Sequence, residues 1–168
     1  SRENTAMLLL FQIILYCLLY LALVKCAVRN SGRNCLYFYP QEFLDEAQRR
    51  GIADKDEEMR KGKRFMTVFC LAIFAALVAI IAGWNRVTDF KTAYWQAYLF
   101  LVAMNWFDGI VIDRLWVSRG NIWRIEGMEG VPYVKPWKTV LIKRGAATVL
   151  YLLIAAAAAG LVVLFGKI

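Results

Sequence analysis

Four long, predominantly apolar runs, residues 5–28, 65–84, 94–117 and 145–165, constrain this chain more than any other feature. A hydrocarbon core about 30 Å thick is crossed by roughly 20 helical residues, and each run reaches that length. None alternates polar and apolar residues as a barrel strand would. The expected fold is therefore all-α: a polytopic membrane protein with four transmembrane helices in an antiparallel bundle, forming a single transmembrane domain. The first run has no basic stretch before it and ends in "VKCAVRN" rather than at small residues. It reads as a first span and not as a cleaved leader.

The basic residues set the expected orientation. Lys25 to Arg64 holds ten of the 21 Lys and Arg, and Arg114 to Arg144 holds seven, which leaves Arg2, Arg86, Lys91 and Lys167 for the other side. The imbalance places loops 29–64 and 118–144 in the cytoplasm and both termini outside a cell membrane. A net charge of +8 then reflects topology and attraction to membrane lipids, and no nucleic-acid partner is expected.

Composition also removes several kinds of chemistry. With no histidine in the chain, His-based acid/base catalysis, the Ser/His/Asp triad and most zinc sites are excluded. Cys17, Cys26, Cys35 and Cys70 contain no CxxC pair, so they read as packing residues. Neither a metal nor a cofactor is expected.

The loops carry local signals. Tyr37, Phe38 and Tyr39 form an aromatic cluster of the kind found at headgroup level. Pro40 then opens a segment with Phe43, Leu44 and Ala47 on one side and charges on the other, the pattern of a short interfacial helix in the first cytoplasmic loop. Asp54 with Glu57 has the spacing of a capping box, and the helix it starts should run on into the second span. The second cytoplasmic loop, with three glycines and two prolines among "SRGNIWRIEGMEGVPYVKPWK", reads as a small hairpin or an irregular lid, with Trp123, Tyr133 and Trp137 as interface anchors. In the last span Ala155 with Ala159, and Ala156 with Gly160, are small residues spaced for close helix approach. They suit packing within the chain, a homodimer or a larger membrane partner.

The third span holds the residues that need a reason. Counting from Val117 at about 1.5 Å per residue, Asp113 lies roughly 6 Å inside the cytoplasmic boundary and Asp108 roughly 14 Å. Asn105, Asp108 and Gly109 share a stripe with Tyr98, Ile112 and Trp116, and Asp113 stands at its edge. A charge at mid-span costs about 2.5–3.5 kcal/mol on insertion scales, so this stripe should face inward. Gln12, Tyr16 and Tyr20 share a face of the first span, and Thr148 and Tyr151 one of the fourth. The second span, with only Thr67 and Cys70, reads as a lipid-facing or purely packing helix.

These positions predict an intramembrane polar pocket open to the cytoplasm, lined by Tyr20, Asn105, Asp108 and Tyr151. Lys25, Asp113, Arg114, Lys143 and Arg144 would stand at its mouth. The expected function is binding or transport of a cation, proton or small amphiphile, with Asp108 as principal charged ligand. Two alternatives are an accessory subunit of a larger membrane complex and, less favoured, an enzyme acting on lipid headgroups. Against the enzyme, residues five apart on an α-helix stand about 140° apart around the axis, so the two carboxylates should diverge. The run "DGIVIDR" shares the Asp-Gly start of the CDP-alcohol phosphotransferase signature. It lacks that signature's Ala-Arg pair and its two downstream aspartates, and no role is carried over from it.

Overall fold

The computed structural model describes residues 1–168 and contains helices and turns without a strand. Four helices are long and apolar enough to cross a membrane: α1 (Arg2–Val28), α3 (Lys55–Trp84), α4 (Phe90–Arg119) and α5 (Trp137–Phe165). A short helix, α2 (Gln41–Arg49), lies between α1 and α3. The helices extend past the apolar runs. Asp54 caps α3, accepting from the backbone N–H groups of Asp56 and Glu57 at 2.9 and 3.1 Å. Asp89 caps α4 through Thr92 N–H at 2.8 Å. Pro40 and Pro136 precede α2 and α5, where a missing N–H and a fixed φ cost nothing.

Two of the long helices widen locally to π geometry, over Ala79–Trp84 in α3 and over Asp108–Trp116 in α4. The second interval coincides with the aspartate-bearing stretch. π-turns are rare and recur at functional sites.

Most of the core lies between α4 and α5, where small residues allow close approach. Ala93 and Ala97 of α4 and Ala155, Ala158 and Ala159 of α5 are all fully buried. Cross-links step along the two helices in opposite chain order, from Tyr98 Oη donating to Thr148 O at 3.0 Å to Asn105 Nδ2 donating to Arg144 O at 2.9 Å. The chain's own packing thus buries Ala155 and Ala159, one of the uses their spacing allowed. Gly160 is exposed, and a Cβ added there would meet nothing within 4 Å.

Tyr16 of α1 is buried and donates to Ile73 O of α3 at 3.1 Å. At the far end Gln12 donates to Asn85 Oδ1 at 2.6 Å, while Asn85 Nδ2 reaches Gln12 at 3.0 Å and Gln96 at 2.9 Å. This amide cluster ties α1 to the α3–α4 connection.

At the opposite end the two longer connections pack on each other. The apolar face of α2 (Phe43, Leu44, Ala47) is buried within the chain. Tyr39 stacks on Phe43 with ring centroids 4.6 Å apart. Trp123, expected to be an interface anchor, is instead 2% exposed and packs edge-on against Trp116. The connection 120–136 has one short 3-10 turn, Asn121–Trp123, and no hairpin.

Candidate functional site

The π-turn sets the geometry of the site. In α-geometry Asp108 and Asp113 would point apart; a π-turn closes i→i+5 bonds and brings residues five apart to the same side. Both carboxylates accordingly meet one nitrogen, Arg144 Nη2, at 2.8 Å from Asp108 Oδ2 and 2.9 Å from Asp113 Oδ2. This overturns the expected divergence, which assumed a regular α-helix.

Arg144 comes from α5 and crosses α4 at Gly109. A Cβ on Gly109 would lie 2.8 Å from Arg144 Cγ and 2.9 Å from Nε, so only glycine leaves room for the arginine stem. The Asp-Gly pair thus has two parts: an anion for the guanidinium and a gap through which it arrives. Behind it, Asn105 is 1% exposed, donates to Arg144 O and accepts from Arg144 Nη1 at 3.3 Å. Thr148 Oγ1 donates to the same Arg144 carbonyl at 2.7 Å and accepts from Trp106 Nε1 at 3.2 Å. Of the guanidinium nitrogens Nη1 and Nη2 have partners, as a low-dielectric setting requires, and buried Nε has none.

In front of the ion cluster is a cavity of about 310 Å³. Asp108, Asp113, Arg144, Lys135 and Lys143 form its charged wall. The rest is largely apolar and aromatic, with Tyr20 and Val24 from α1, Phe65, Met66 and Phe69 from α3, and Tyr37 to Tyr39, Trp123 and Tyr133 from the two connections. Lys135 completes the ion cluster, 3.5 Å from Asp113 Oδ2.

The two connections close over this space as a cap. Tyr39 Oη donates to Trp123 O at 2.6 Å, and burial pushes the Tyr39 hydroxyl above its usual pKa, so it remains a donor. Gly32 makes room for that bond, since a Cβ there would collide with Tyr39 Oη.

Of the residues expected at the pocket, Tyr20, Asp108, Asp113, Lys143 and Arg144 line the cavity, and Asn105 supports Arg144 from behind. Tyr151 is half-buried and does not line it. Lys25 is exposed and sits 5.7 Å over the Trp116 ring. Arg114 turns the other way: its Nη1 donates to Lys135 O at 2.8 Å and its guanidinium lies 4.7 Å from the Trp137 ring, so it positions the backbone that carries Lys135. The second span corrects its expected role. Phe65, Met66 and Phe69 give α3 a full side of the cavity, while Thr67 and Cys70 are exposed. Lys135, Tyr39 and Trp123 were not expected at the cavity, because their loop positions carried only an interfacial signal.

No group of His, Cys, Asp or Glu side chains is arranged to hold a metal ion. The chain matches no protein-family profile, no curated protein and no solved structure.

Proposed function

We propose that the chain is a small multi-pass protein of the cell membrane, with four antiparallel spans, both termini outside and a cytoplasm-facing cavity that binds a small amphiphile. In this arrangement α2 lies at the cytoplasmic surface as part of the cap. The observation that carries the reading is one cavity with an aromatic wall on one side and a compact ion cluster on the other. A largely apolar concavity of about 300–1,000 Å³ with a few convergent polar groups is the usual form of a small-molecule site.

Among the ligands expected from sequence, a metal cation or proton is less favoured. Asp108 and Asp113 already hold Arg144, so a cation would have to displace the guanidinium from both. The aspartates act by fixing Arg144 and not as open ligands. Binding is favoured over transport, because carriers usually place their site between structural repeats, and this chain has no evident repeat.

The test is calorimetric titration of the protein in dodecyl maltoside micelles with hexanol, an uncharged short amphiphile, with protein-free micelles as the blank. Saturable one-site binding is expected, and it should be lost in Met66→Trp. That side chain lines the cavity and is 45% exposed, so a larger group there fills space without disturbing packed core. Binding that is non-saturable, or unchanged in Met66→Trp, would overturn the reading.

A further inference from the structure

Five charged side chains border the cavity, and their pairing is uneven. Arg144 is taken up by Asp108 and Asp113, and Lys135 by Asp113. Lys143, on the same wall, makes no ion pair or hydrogen bond to any protein group. Three cations against two carboxylates leave one positive charge over, and Lys143 carries it. Lys143 is exposed and stands two residues before the apolar run that begins at Gly145, at the mouth of the cavity.

A free ammonium on a cavity wall is answered by a ligand that brings negative charge. A cationic headgroup would meet Lys143 and Lys135 as like charges and find both carboxylates occupied; only the aromatic ring faces would favour it.

We infer that the amphiphile of this cavity carries an anionic headgroup, held by Lys143, with its apolar part against the aromatic wall. The inference rests on the amphiphile-binding reading above and specifies its ligand class. Lysine acts here as a point-charge binder, the way it commonly holds phosphate oxygens.

The experiment titrates the 168-residue chain in dodecyl maltoside with hexyl phosphate, hexyltrimethylammonium, inorganic phosphate and hexanol. Hexyl phosphate should bind most tightly, with inorganic phosphate and hexyltrimethylammonium each weaker by about tenfold or more. Lys143→Met should lower hexyl phosphate affinity by about tenfold, far more than it changes hexanol affinity, and Lys143→Arg should restore it. Hexyltrimethylammonium binding as tightly as hexyl phosphate, or an unaltered Lys143→Met, would overturn the headgroup assignment while leaving the amphiphile site intact. Inorganic phosphate binding as well as hexyl phosphate would make this a free-anion site and overturn the assignment to an amphiphile. Failure of hexanol as well would remove the underlying reading and this inference with it.

Discussion

Asp108 and Asp113, five residues apart on α4, share a single nitrogen of Arg144 at 2.8 and 2.9 Å. Two like charges are held together because the guanidinium lies between them and because the π-turn gives both the same direction. Removing the cation should be far worse than removing the whole cluster. Arg144→Met leaves two carboxylates facing each other with little water, and a loss of roughly 3–5 kcal/mol is expected, the usual cost of breaking a buried pair from one side. The triple variant Asp108→Asn, Asp113→Asn, Arg144→Met should recover most of it. Unfolding followed in dodecyl maltoside decides the matter: a triple variant no more stable than Arg144→Met would show that the charges are not what couples these positions.

The glycine beside Asp108 allows a second test with an internal control. Gly109→Ala places a methyl group 2.8 Å from Arg144 Cγ, and the displaced arginine loses its grip on both carboxylates. Overpacking of this kind costs about 1–3 kcal/mol. Gly145→Ala, one position along from Arg144 on α5, meets nothing within 4 Å, and should be neutral or stabilising by about 0.5–1 kcal/mol through helix propensity. Equal effects of the two substitutions on thermal stability would contradict the packing role assigned to Gly109.

Much of this arrangement was legible in the sequence, and the rest fails for identifiable reasons. The four runs and the inward face of Asn105 and Asp108 follow from hydrophobic length and the cost of a charge in lipid, which depend only on local composition. Arg144 and Lys143 were placed near the aspartates by depth alone. The meeting of Asp108 and Asp113 could not be found that way, because the 100° step per residue fails where the helix widens. Phe65 and Phe69 were missed because an aromatic side chain facing lipid and one facing a cavity look the same in sequence. Tyr39 and Trp123 were misplaced for a related reason: an aromatic residue just outside a span signals the interface, and only tertiary packing turns it into part of a cap.

The cap offers a coupled pair. Tyr39→Phe removes the bond to Trp123 O and leaves a buried carbonyl without its donor, at a cost of about 1–3 kcal/mol. Gly32→Ala drives a methyl group into the same hydroxyl. In the double variant that collision is partly relieved, so the combined loss should be smaller than the sum of the two. Amide hydrogen exchange over residues 120–136 supplies the local readout. Strict additivity would mean that Gly32 and Tyr39 do not act on each other.

Acid should loosen α4 at its first turn. Asp89 accepts from Thr92 N–H at 2.8 Å, and that backbone hydrogen bond holds its carboxyl below the usual aspartate value. A pKa lower in the folded state than in the unfolded chain means that the cap's contribution is complete above the unfolded value, near 3.9, and is lost as pH falls through the folded one. Asp89→Ala should therefore be less stable than the native chain at neutral pH, with the gap closing as pH drops below about 4. Exchange at the Thr92 amide, compared in the two proteins across that interval, measures the gap directly. A difference that stays constant down to the lowest pH would show that the aspartate does not cap this helix as a carboxylate.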